Sequence, residues 1–227
     1  MFTLYVQAPF ARFQHFVGGK WRPTADFITP SAAFGLVLNL ASIDMREGLG
    51  TQRYTQIKRG VADMEIALGA LEMPAKQRVL QHLHTYAQQP TGVEKVRAEE
   101  CRGHPHKISP CWRETLVGIR AYVAVKPIHP ATLEEQVRDG LAGRLPRYGV
   151  PFLGDSNYTL DVVRMVDRVE PACWFEQVPG DQGGMPYVTR LTVTIDRDDS
   201  ARTVTRSFRP TVPCVGVLEA AWVRVKY

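Results

Sequence analysis

No apolar run in the chain is long enough to cross a bilayer as a helix. The stretch Ala32–Ala41 reaches about half of the roughly 20 residues that a spanning helix needs, and it begins too late for a secretory signal. No targeting segment is visible, so the cytoplasm is the expected compartment. Cysteine is scarce: Cys101, Cys111, Cys173 and Cys214 are too few and too scattered for the disulfide framework of a small secreted domain. The chain also lacks a phosphate-cradling glycine loop, a nucleophile triad motif and a paired-carboxylate signature, which weighs against a small-molecule enzyme.

What is present is a chain of 227 residues, 44% of them hydrophobic, enough to bury a sizeable core. The net charge of +5 is unevenly spread. Residues 1–60 carry seven Lys/Arg against three Asp/Glu, 95–120 carry six against three, and 200–227 carry five against one. Residues 121–199 reverse the balance, with eight against twelve. If the three basic stretches meet in space they form the electrostatic footprint of a phosphate backbone; if they do not, they are ordinary solvated charge.

Strand and helix signals alternate. Apolar alternation in Phe2–Gln7 predicts a strand. A long loop follows, in which Arg12, His15, Lys20 and Arg22 interleave with Phe10, Phe13, Phe16 and Trp21. Thr29-Pro30-Ser31 supplies a cap and a first-turn proline, predicting a helix to about Ala41 that is apolar nearly all round and so packs on a sheet. After a polar stretch holding Arg46, Arg53, Lys58 and Arg59, residues 62–72 read as a strand. Residues 73–115 have no clean strand pattern and read as an insertion, in which "PAKQRVLQHLHTYAQQ" is compatible with a short helix. A strand at 115–128, a helix opened by Pro130 and stopped at Gly143, and a strand before residue 167 complete a βαββαβ order. The expected fold is α+β, ferredoxin-like, the layout also used by RNA-recognition domains, over residues 1–168, followed by a β-rich C-terminal part at 169–227 with an Asp-rich hairpin turn.

Three stretches carry a family resemblance: "YVQAPFARFQ" followed by "TPSAAFGLVLNL", then "RETLVGIRAYVAVKP", then "RYGVPFLGDSNYTLD". Together they resemble the Cas-five family of CRISPR-associated proteins, in the RAMP superfamily, closest to its Myxan/DevS-like branch. The resemblance implies a subunit of a type I Cascade surveillance complex that holds the 5′ handle of the CRISPR RNA and caps the filament of Cas-seven backbone subunits. A Cas-eight large subunit would lie alongside, and target DNA would be met through the complex, with no membrane contact. Residues 73–115 would be the family's thumb. Arg12, Gln14, His15, Lys20 and Arg22 in the loop, Ser31 at the helix start, and Arg46, Arg53, Lys58, Arg59 and Arg147 would lie beside the RNA. Without the resemblance, Thr29-Pro30-Ser31 reads simply as a helix start.

In the insertion, Lys95, Arg97, Arg102, Lys107 and Arg113 are candidate phosphate contacts, while His104, His106 and Trp112 can stack on splayed bases. Trp112 can equally anchor the insertion to the core. Cys101, His104, His106 and Cys111 are zinc-type ligands within eleven positions, but the spacing is not a finger pattern, so no metal or other cofactor is expected. Family members that cleave precursor RNA tend to carry a tyrosine after the first helix; here the stretch is "LASIDMR". Although His106 and Lys107 are adjacent, a non-catalytic binder is expected, with a metal-free endoribonuclease as the alternative.

Overall fold

Alternation along the first strand decides how the fold opens. In β1 (Phe2–Ala11) the side chains of Phe2, Leu4, Val6 and Ala8 are buried, and a strand pairs with it on each side. The computed structural model describes residues 1–14, 21–47, 56–86, 106–178 and 187–227. Further along lie β2 (Trp21–Arg22), α1 (Pro30–Leu40), β3 (Arg46–Glu47), β4 (Gln56–Ile57), β5 (Asp63–Glu72), β6 (Ala75–Tyr86) and β7 (His106–His129). Then come α2 (Leu133–Leu141), β8 (Val162–Val166), β9 (Cys173–Gln177), β10 (Thr189–Thr194), β11 (Val204–Pro210) and β12 (Val223–Lys226). Among the described residues the architecture is mixed, a mostly antiparallel sheet with two α-helices.

Four strands lie in the order β8-β1-β7-β5, each antiparallel to its neighbour. The far edge of β5 is shared: β12 pairs its first half and β9 its second, after which β11 and β10 extend the sheet. The strands beyond residue 168 send Phe175, Leu191, Phe208 and Val225 into the same buried cluster as β1 and α1. Phe27 stacks on Phe175 with centroids 4.4 Å apart, and Phe34 meets Tyr227 at 5.1 Å. The Asp-rich turn expected in this part joins β10 to β11, with Asp196 accepting from the amides of Asp198 and Asp199.

Helix α1 starts where its cap residues require. The Thr29 hydroxyl accepts from the Ala32 amide at 3.2 Å, and Pro30 stands at the first helical position, where no donor is missed. Phe34, Val37, Leu38 and Leu40 are fully buried, each worth about 1.5–3 kcal/mol of transfer free energy. Helix α2 begins three residues after Pro130 and is followed, past its Ala142 cap, by Gly143, whose φ of +74° suits a residue without Cβ. The helices touch at Gly140, where an added Cβ would stand 1.7 Å from the Leu40 carbonyl oxygen.

The insertion departs from expectation. Where a short helix was compatible with residues 74–89, the chain forms β6, paired with β7 from Ala75↔Val117 to Tyr86↔His106. Strands β5 and β6 thus lie end to end along one 24-residue strand, β7, with a register shift between Ala70 and Glu72 and a positive φ of +76° at Gly118. Ladder pairing satisfies every second backbone group of β6, and this tertiary context overrides the helix-compatible composition of Lys76, Gln77 and Leu80. Of the expected thumb, 73–115, residues 87–105 fall outside the described residues.

Candidate nucleic-acid interface

One side of α1 packs on the sheet and the other floors a cleft of about 640 Å³. Ala32, Gly35, Leu36 and Asn39 face it from the helix, and Tyr148–Phe152 form the opposite wall. Phe13 and Gln14 also line it, as do Ile195 and Tyr227, each the residue just after a C-terminal strand. Parts of "YVQAPFARFQ", "TPSAAFGLVLNL" and "RYGVPFLGDSNYTLD" therefore line one space.

The wall loop is pinned at several points. Asn39 Nδ2 donates to the Gly149 carbonyl at 3.1 Å, Arg147 donates to the Gly140 carbonyl at 2.6 Å, and the Ser42 hydroxyl donates to the Pro146 carbonyl. Gly154, at φ +76°, lies so close to the β1 end that a Cβ would stand 2.1 Å from the Arg12 carbonyl oxygen. Asp155 follows, accepting from the Asn157 amide at 3.1 Å and from Arg113, with Arg12 ion-paired to it at 3.6 Å.

Two expected phosphate contacts are therefore turned inward. Arg12 is 2% exposed and Arg113 is 7% exposed, and both share the Asp155 carboxylate; Arg12 also reaches Gln14 at 3.2 Å and Arg113 reaches Gln81. Burial holds the Arg12 guanidinium below the usual arginine range, and the neighbouring Arg113 charge adds to this. Arg12 Nε and Nη2 and Arg113 Nε are buried without a hydrogen-bond partner. The pair is part of the support beneath the loop.

The remaining expected residues lie as follows. Ser31, half-buried, sits at the cleft with its hydroxyl 3.1 Å from that of Thr29. Arg46 lines the cleft, but Asp44 grips it through Nε (2.8 Å) and Nη2 (2.9 Å), and its guanidinium covers the Tyr148 ring at 4.5 Å. Its hydrogen bonds hold the Asp44 carboxyl below the usual carboxylate range. Burial pushes the Tyr148 phenol up, with a hydrogen bond from Asn39 opposing. Gln14, Lys58 and Arg59 are exposed, Arg22 is half-buried, and Arg147 is exposed at its backbone-bound position. His106 and Lys107 belong to β7. His15, Lys20, Arg53, Lys95, Arg97, Arg102 and His104 lie outside the described residues. Among the described residues no cluster of His, Cys, Asp and Glu is arranged for a metal, and Cys101 and His104 are not among them.

Trp112 is 47% exposed and aligned with two residues absent from the expected site, Trp21 on β2 and Leu80 on β6. Arg78 lies over the Trp21 ring at 4.6 Å. Asn39 was also missed, although it is the one amide in a helix whose other residues after Ser31 are apolar. Such isolation is a signal that sequence carries.

No family model matches the chain, and no curated protein does. Among solved structures it is similar to a chain of a "CRISPR RNA-guided surveillance complex", with TM-score 0.56 and 15% identity over 97% of this chain and 95% of that one. It is also similar to one described as "Crystal structure of Cas protein", with TM-score 0.48 and 13% identity over 93% and 94%. At 15% identity the first likeness shows a shared fold over nearly the whole chain. No helix among the described residues is long and apolar enough to cross a membrane.

Proposed function

We propose that the chain is a non-catalytic, Cas-five-like subunit of a type I CRISPR surveillance complex, which holds the 5′ handle of the CRISPR RNA in the cytoplasm. The observation that carries this reading is the convergence on one cleft of stretches far apart in sequence, each part of the family resemblance. The full-length likeness in fold to a chain of an RNA-guided surveillance complex supports it. So does the strand order β8-β1-β7-β5 with α1 and α2 as crossovers, which fits a ferredoxin-like core. On this reading Gln14, Ser31, Arg22, Arg46, Lys58 and Arg59 line or flank the RNA path, and Arg12 and Arg113 hold its wall. Trp112, exposed where β6 pairs with β7, offers a stacking surface. Cas-seven and Cas-eight subunits would be the protein neighbours, and DNA would be met only through the assembly.

Fluorescence anisotropy with handle-containing RNA tests the reading. Log affinity should fall with log salt by about 0.7 for each phosphate neutralised on a single strand. Binding that does not depend on salt would overturn it. Incubating purified protein with repeat RNA tests the absence of catalysis. A single cut made by the wild type and lost in His106→Ala would replace the binder with a metal-free endoribonuclease.

A further inference from the structure

Gly35 and Asn39 face the cleft one turn apart on α1. Asn39 is 6% exposed, and its contact with the Gly149 carbonyl, which can only accept, fixes the amide with nitrogen toward that loop. Oδ1 is the end left over, and it is buried without a hydrogen-bond partner. An acceptor in that condition destabilises the fold unless something outside the chain donates to it. Gly35 is also unexplained by packing. A glycine inside a helix is unfavourable relative to alanine, and an added Cβ here would meet nothing within 4 Å. What the missing side chain does is leave the cleft floor open.

Leu36, Ile57 and Phe152 give the cleft apolar surface, while Arg46, which covers the Tyr148 ring, and Gln56 line it with polar groups. A phosphate would bring acceptors to an acceptor. A flat heteroaromatic ring with an N–H on its edge fits the apolar surface and the single buried oxygen together.

We propose that this cleft takes one unstacked nucleobase, whose exocyclic amine donates to Asn39 Oδ1 while its ring lies over Gly35. Adenine, cytosine and guanine present such an amine. Uracil presents one N–H between two carbonyls and would set oxygen against oxygen. The base comes from an RNA strand if the function proposed above holds, and the inference rests on that reading for its source; a free nucleotide offers the same chemistry.

Calorimetric titration of the full chain with AMP, CMP, UMP and a short single-stranded handle oligonucleotide separates these points. AMP and CMP should bind about tenfold more tightly than UMP, the size expected from one buried polar group left unpaired. Gly35→Leu should abolish binding of AMP and of the oligonucleotide while the melting temperature holds or rises, since the helix gains a better former and the added atoms enter the cleft. Asn39→Leu should lose about tenfold for AMP and nothing for UMP. Because Asn39 also pins Gly149, Gly35→Leu decides the matter if that variant misfolds. Gly35→Leu protein that is folded and binds like the wild type overturns the proposal, as does equal affinity for AMP and UMP, or no binding of either. Wild-type protein that binds AMP but not the oligonucleotide keeps the pocket and removes the RNA reading.

Discussion

On one face of the β6–β7 stem Arg113 is 7% exposed and grips Gln81 and Asp155; on the other, Trp112 is 47% exposed beside Trp21 and Leu80. Successive side chains on a strand point to opposite faces, so neighbouring positions 112 and 113 had to part. The wall loop decides which face becomes interior. By setting Gly154 and Asp155 over the end of β1, it covers the arginine face, and among the described residues nothing equivalent covers the tryptophans. Charge is held inside and aromatic surface is presented outside, the reverse of what residue type alone assigns.

The largest test of that inversion removes the carboxylate both arginines share. Asp155→Ala leaves two buried guanidiniums facing each other without a counter-charge, and breaking a buried pair in this way costs about 3–5 kcal/mol. Urea unfolding should show a loss of that size. A loss under about 1 kcal/mol, typical of surface pairs, would mean the arginines reach water and the two faces do not differ.

Two glycines sharpen the comparison, because both hold φ +76° in different surroundings. At Gly118 a Cβ meets nothing within 4 Å, whereas at Gly154 it stands 2.1 Å from the Arg12 carbonyl oxygen. Gly118→Ala should cost only the conformational strain, about 1 kcal/mol. Gly154→Ala must also displace the loop and should cost about 2–3 kcal/mol or more. Equal losses in thermal unfolding would show that the loop does not press on β1.

Truncation on the outer face should matter far less to folding. Trp112→Ala, alone or with Trp21→Ala, should change stability by less than about 1 kcal/mol, since each ring is already partly in water. A larger loss would show that Trp112 anchors the stem to the core.

Much of the scaffold was legible because its signals are local. The Thr29-Pro30 cap, the alternation of Met64, Ile66 and Leu68, and Gly143 at the end of α2 each follow from residues close in sequence. Strand β6 was not legible, because its stability comes from pairing with residues 106–117, which local propensity does not register. The inward turn of Arg12 and Arg113 was hidden for the same reason: Asp155 arrives from more than forty residues away. Of the cleft, sequence gave up Ser31, Gln14 and Arg46, yet Asn39 became visible only when its amide was seen pinned to Gly149 with one end unsatisfied.

The smallest effect concerns an ion pair at the surface, the counterpart of the buried one at Asp155. Arg224 donates to Asp63 through Nε at 2.9 Å and Nη2 at 2.6 Å, joining β12 to β5. These hydrogen bonds hold the Asp63 carboxyl below the usual carboxylate range, with the charges of Arg224 and Lys226 acting in the same direction. A carboxyl whose folded pKa is depressed binds its proton more readily in the unfolded chain. Its contribution is therefore fully present above the unfolded value of about 4 and is lost as pH falls through the lower folded value. Arg224→Gln keeps a donor but removes the charge, so it should lower stability slightly at neutral pH and make the acid loss shallower. Asp44, held down in the same way by Arg46, keeps part of the slope in the variant. Urea midpoints of both proteins, followed from neutral pH into acid, should converge as Asp63 becomes protonated in each. Midpoints that stay parallel would show that Arg224 does not set the Asp63 pKa, and that the β12–β5 seam is held by its ladder and by Val223 and Val225 alone.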